Sequence, residues 1–247
     1  MKAADPQIQV IRWPARRVAV PEAEILRYLG MGKQVPEARL QAHLQQIRSS
    51  FDTAVTYAAC YTVVPVAHAA GGCQLGPLWM PGKSLARHLA ACREAILLAA
   101  TTGLAAERMQ RRSMLLSPTV GLLTDACATA AIEAFCDALD EEWAQRYPGS
   151  ERLARFSPGY GDLPLSCQPP LLELLQSARL IGLNLTASLL MLPQKSVSAI
   201  IGLRQPRPEA AGPTDQTERQ PGQGCPDSCS QPVCAYRQKE EKIHETA

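Results

Sequence analysis

The chain has 247 residues, of which 46% are hydrophobic, and a formal net charge of +2. That length allows one large domain, or one domain with an appendage, and the apolar share is enough for a core. Near-neutral charge and only 5% aromatic residues argue against a nucleic-acid-binding role, which draws on basic patches and stacking rings. No uninterrupted apolar run reaches the roughly 18 residues of a membrane span. The start, M-K-A-A-D-P-Q, lacks the charged-then-apolar order of a secretory signal. The expectation is a cytoplasmic protein without a membrane span.

Helical signals open the chain. P-E-A-E-I-L-R-Y-L-G puts Pro21 and Glu22 in a first turn and Gly30 at a stop. P-E-A-R-L-Q-A-H-L-Q-Q-I-R repeats the device, with Leu40, Leu44 and Ile47 on one stripe, so a helical hairpin is predicted. Strand-like wording follows in V-T-Y-A-A-C-Y-T-V-V-P-V, which ends at a proline. S-L-A-R-H-L-A-A-C-R-E then reads as a helix, and A-I-L-L-A-A-T-T-G as a buried strand closed by Gly103.

Ser117-Pro118 supplies a capping hydroxyl and a proline suited to a first helical position, predicting a helix to about Tyr147. Its apolar stripe is Ala128, Ile132, Phe135, Leu139 and Trp143, with Glu133, Asp137 and Asp140 on the neighbouring stripe. P-P-L-L-E-L-L-Q-S-A-R-L-I-G reads as a further helix closed by Gly182, and K-S-V-S-A-I-I-G-L as a final strand. From Gln205 the wording turns polar and Pro-rich. The expected organisation is an α+β domain over 1–204, a linker over 205–224 and a cysteine-containing tail over 225–247.

Nine cysteines are present. Six lie in the body and read as reduced, buried residues: Cys60, Cys73, Cys92, Cys127, Cys136 and Cys167. Cys225, Cys229 and Cys234 have the spacing C-x3-C-x4-C. Three thiols so close suit zinc or an iron–sulfur cluster. An apo tail, or thiols that pair on oxidation, are the alternatives.

Two further motifs are weak. P-G-K-S at 81–84 ends like a phosphate-binding loop, but Pro77 stands where that loop needs glycine, so it reads as a turn before a helix. H-A-A-G-G at 68–72 has Val66 in place of the aspartate of a cobalamin-binding signature, so His68 reads as a loop residue after a strand.

The most constrained stretch is A-R-F-S-P-G-Y-G-D-L-P-L-S-C-Q at 154–168. Ser157 and Leu163 precede prolines and are pushed to extended backbone. Gly159 and Gly161 open conformations closed to other residues and let a ligand approach. Arg155 suits a carboxylate, Tyr160 a cationic centre, and free peptide groups an adenine edge. Together these describe S-adenosylmethionine. The alternative is a structural turn carrying a surface arginine.

R-F-S-P-G-Y resembles the R-x-A-P-G-Y motif of the activation domain of cobalamin-dependent methionine synthase. I-E-A-F-C-D-A-L-D-E-E-W resembles that domain's preceding helix. I-G-L-N-L-T-A-S-L-L-M-L-P-Q-K-S-V-S resembles its Thr-x-Ser and Ser-Val-Ser run. The three blocks stand in the same order over roughly 117–203, and the wording looks closest to free-standing activation-domain proteins of anaerobic bacteria.

The resemblance implies an α+β fold with a mixed or antiparallel sheet and flanking helices. It implies S-adenosylmethionine binding that supports reductive remethylation of cobalamin. Arg155 then holds the ligand's carboxylate end, Ser157 offers backbone where the family has alanine, Gly159 lets the ligand approach, and Tyr160 lies near the reactive end. Glu133 falls on the family's helix glutamate. With no cobalamin module of its own, the chain is expected to act on a separate cobalamin-binding methionine synthase or corrinoid protein, with a flavodoxin or ferredoxin as electron donor. The alternatives are a non-catalytic S-adenosylmethionine-sensing or corrinoid-protein-binding module, or a small metal or iron–sulfur redox protein in which the 154–168 stretch is structural. It departs from the family at Gly149, where an acidic residue is usual, and at Arg204-Gln205-Pro206, where tyrosines follow the strand.

Overall fold

The computed structural model describes residues 7–32 and 34–205. The linker expected at 205–224, beyond its first residue, and the tail with Cys225, Cys229 and Cys234 lie outside the described residues.

The chain starts on a strand, β1 (Gln9–Pro14). The expected helical hairpin follows as α1 (Glu22–Tyr28) and α2 (Ala38–Ala54), with Leu44, Ile47 and Phe51 buried. Strand β2 (Thr56–Ala69) runs through Pro65 rather than ending there. The Pro65 carbonyl accepts the Gly76 N–H at 2.9 Å. His68 therefore lies within a strand and not in a loop. The G-G-C-Q-L-G-P-L-W-M-P wording forms a hairpin, β3 (Gly72–Leu75) and β4 (Leu78–Pro81).

The helix expected at 84–94 is cut short. Helix α3 (Lys83–His88) stops after six residues, and Cys92 already starts β5 (Cys92–Thr101). The central strand claims those residues because both its faces are covered. Ile96, Leu98 and Ala100 enter one core, and Ala95, Leu97 and Ala99 the other. Gly103 does not close this strand. With φ +78° it opens α4 (Gly103–Leu116), a helix the sequence reading missed.

Helix α5 (Pro118–Arg146) has the predicted bounds within a residue, and Ser117 caps it. It packs Phe135 between Tyr57 (stacked, centroids 4.9 Å apart) and Trp13 (edge-on, 5.5 Å). Fully burying a large side chain of this kind stabilises the fold by roughly 1.5–3 kcal/mol. By length and composition α5 could cross a membrane, but 61% of its most apolar window is buried inside the protein. It is used here as the core helix.

After β6 (Glu151–Arg152) the predicted long helix is broken into α6 (Gln168–Leu174) and α7 (Ser177–Ile181) by Gln176 at φ +51°. A small ladder, β7 (Asn184–Leu185) and β8 (Met191–Leu192), precedes β9 (Ser196–Arg204).

The main sheet has the order β4-β3-β2-β5-β9-β6, with β1 also on β2, and every pairing in it is antiparallel. One face carries a core shared with residues of α1, α2, α4 and α5, and the other a core shared with α3, α6, α7 and the segment after β6. The architecture is the α+β type expected. Coverage on both faces explains why β5 and β9 read as continuous apolar runs. All six body cysteines are free and buried, as expected.

Candidate functional site

The segment after β6 continues along the sheet edge. The Leu153 N–H donates to Gly202 O at 2.9 Å, and Phe156 exchanges N–H···O bonds with Ile200 at 2.9 and 2.8 Å. Extended backbone sends successive side chains to opposite faces. Phe156 enters the core shared with α3, and Arg155 turns to α5.

Two tight turns follow. The Tyr160 N–H donates to Ser157 O, and the Leu163 N–H to Tyr160 O, both at 3.0 Å. The first turn has Pro158 second and Gly159, at φ +94°, third, the residue pattern of a type II turn. Gly161, at φ +55°, serves the second turn. The Gly159 N–H donates to Leu163 O at 2.9 Å. The Ser157 carbonyl and the Gly159 N–H are thus bonded within a strap formed by residues 154–163.

Arg155 sits among three carboxylates of α5. Its Nη2 lies 3.0 Å from Glu133 Oε2, and its Nη1 lies 2.9 Å from Asp137 Oδ1 and 3.3 Å from Asp140 Oδ2. The three acids fall four and three residues apart, which places them on one helix face. The guanidinium side chain is 22% exposed, against 68% for Asp137.

Burial pushes the Asp140 carboxyl up to about 6, although Arg155 pulls it down. Its buried Oδ1 has no hydrogen-bond partner. Burial by itself would lower the Arg155 pKa, but the anionic groups around it more than offset this and hold it above the ordinary arginine value.

Tyr160 is 47% exposed. Its ring meets Phe156 edge-on at 6.0 Å, and Phe156 lies 5.4 Å from the His88 ring. Burial lowers the His88 pKa, and its bond to the Ala154 carbonyl acts in the opposite sense. Arg155 and Glu133 are therefore in direct contact, while Ser157, Gly159 and Tyr160 form the turn a few residues on. A cavity of about 510 Å³ lies between α6 and α7, lined by Leu172, Gln176 and Arg179 among others. Another of about 210 Å³ is lined by Arg16, Arg48, Asp52 and Tyr57 among others. Neither is lined by Arg155 or Tyr160.

Sequence reasoning placed Asp137 and Asp140 on the right stripe but not in the site. Their spacing from Glu133 was the available signal. Asp162 was missed as well. Its carboxylate accepts the Lys83 and Ser84 N–H groups at 2.7 and 2.9 Å, so the P-G-K-S turn does start a helix. Among the described residues, no three His, Cys, Asp or Glu side chains form a group suited to a metal ion.

The chain matches no family model and no curated protein. Among solved structures it is similar to the crystal structure of the MetH reactivation domain bound to AdoHcy. The TM-score is 0.64 and the identity 14%, over 82% of this chain and 80% of that one. The likeness shows a common fold.

Proposed function

We propose that this chain binds S-adenosylmethionine where the strap meets α5, and serves as an activation component for reductive remethylation of cobalamin held by a separate protein. Arg155 carries the reading. On a fold shared with a reactivation domain bound to AdoHcy, the arginine of the R-F-S-P-G-Y wording is partly buried and touches the helix glutamate that the same resemblance singles out.

In this reading S-adenosylmethionine supplies the methyl group, and the partner's cobalamin receives it together with one electron from a flavodoxin or ferredoxin. The methyl carbon leaves sulfur, which keeps the bonding pair, and no proton moves. The chain therefore needs no general base or nucleophile. Its task is to hold and orient the donor, which removes an entropic cost from the transfer. The incoming carboxylate displaces Asp137, the most exposed of the three acids, from Arg155. The ligand's ammonium then meets Glu133 and Asp140. One guanidinium among three carboxylates leaves an excess of negative charge, which favours a ligand with two cationic centres.

The reading also treats the protein as a free-standing, cytoplasmic activation domain of the anaerobe type over 1–204. Its partner is a methionine synthase or another corrinoid protein, and the tail cysteines hold zinc or an iron–sulfur cluster. Calorimetric titration with S-adenosylmethionine tests the core of it. Binding that disappears in Arg155→Ala supports it, and no heat of binding to the wild-type chain overturns it.

A second reading is favoured by the ion cluster itself, which ties the strap to α5 through Arg155. There the chain is a non-catalytic S-adenosylmethionine sensor or corrinoid-protein-binding module. Transfer of a labelled methyl group from S-adenosylmethionine to reduced partner cobalamin separates the two.

A further inference from the structure

Helix α3 holds the strap at both ends. At the near end the His88 Nε2–H donates to Ala154 O at 2.9 Å, and the ring packs against Phe156. At the far end the Asp162 carboxylate accepts the two N–H groups that open α3. No carbonyl within the helix reaches those groups.

A six-residue helix is about 9 Å long, whereas eight residues of extended chain, as from Ala154 to Asp162, reach roughly 27 Å. Anchored this closely, the strap has to arch, and the two turns at 157–163 are that arch.

Two glycines make the anchor sterically feasible. Gly82 has φ +110°, and a Cβ there would lie 2.7 Å from Asp162 Oδ1. Gly161 has φ +55°, and a Cβ there would lie 2.9 Å from Ser84 Oγ. P-G-K-S thus presents its N–H groups to an anion after all, and the anion is a carboxylate of the same chain.

We propose that Asp162 is a positioning residue for S-adenosylmethionine: by tying the turn to α3, it sets the arch between Arg155 and Tyr160 before any ligand arrives. This rests on the functional reading above. A strap ordered in advance loses less conformational freedom on binding, which raises affinity. Asp162 touches no reacting atom and acts through the strap.

The test combines hydrogen exchange of the unliganded full chain with calorimetric titration of S-adenosylmethionine, on wild type, Asp162→Ala and Asp162→Asn. In Asp162→Ala, exchange at Lys83, Ser84 and 160–163 is expected to accelerate about tenfold or more, and affinity to fall about tenfold, as two charge-assisted bonds are lost. Stoichiometry stays close to wild type, and the melting temperature falls modestly at neutral pH, where the ionised carboxylate adds stability. Asp162→Asn keeps one acceptor oxygen and recovers part of both effects, a graded rescue that also serves if the alanine variant fails to fold. Unchanged exchange, or affinity within about twofold of wild type, overturns the proposal. If the wild-type chain binds no S-adenosylmethionine, the functional reading fails. Exchange alone then decides whether Asp162 sets the strap.

Discussion

Arg155 Nη2 and Glu133 Oε2 lie 3.0 Å apart across 22 residues of sequence, joining the strap to the core helix. With Asp137 and Asp140 on the same guanidinium, the corner carries more negative than positive charge. S-Adenosylmethionine is therefore expected to bind more tightly than S-adenosylhomocysteine, which lacks the sulfonium, by roughly fivefold at low salt. Titrations of both ligands at two ionic strengths check this. The preference should shrink with salt and in Glu133→Gln. Equal affinities at low salt would contradict it.

Removing the guanidinium leaves three carboxylates facing one another. Arg155→Ala should lose about 2 kcal/mol, below the cost for a fully buried pair because water reaches part of this site. Thermal unfolding measures it. Adding Asp140→Asn relieves the repulsion and should restore much of the melting temperature without restoring ligand binding. That separates the arginine's structural role from its binding role.

Two aspartates titrate in opposite senses. The folded-state pKa of Asp140 is raised, by burial first, to about 6. Its penalty on folding is thus absent below its ordinary carboxylate value, grows as pH rises towards 6, and is complete above that. Asp140→Asn should stabilise the protein at pH 7.5 and change little at pH 3.5. A full conversion of the shift is too large for a side chain that is 33% exposed, so a gain of about 1 kcal/mol is expected. Asp162 is held below the usual carboxylate range by the Ser84 and Lys83 N–H groups. Its contribution is present above that range and lost as pH falls through its depressed value. Melting curves of each variant across pH give the two signs, and a gain for Asp140→Asn at pH 3.5 larger than at pH 7.5 would refute the first.

Gly121 lets α4 approach α5. A Cβ there would lie 2.8 Å from Met114 Cα, which is backbone and cannot rotate away. Gly121→Ala should cost about 2 kcal/mol by overpacking, despite alanine's better helix propensity. Chemical denaturation of the variant checks it, and a stabilised variant would mean that the two helices can part.

Much of the fold was legible beforehand. Ser117-Pro118 and the stripe from Ala128 to Trp143 marked α5 because cap, proline and helical period agree within one segment. Helix α4 was not legible in that way. Of its residues only Ala106 and Glu107 are buried, so it lacks the apolar stripe that reveals a helix. The short α3 was overrun because the residues up to Glu94 keep a helical look, while the sheet takes them for β5.

By itself, the sequence determined local features: an arginine, a phenol and two turn glycines in one strap, and three acids at helical spacing in another segment. Those properties are local, set by residue type and by the few residues on either side. Only the tertiary structure decided that the three acids close on Arg155 and that Asp162 reaches back to Lys83 and Ser84. Such contacts join segments 15 to 79 residues apart. No local pattern encodes them, because they exist only once the sheet has brought the strap between α5 and α3.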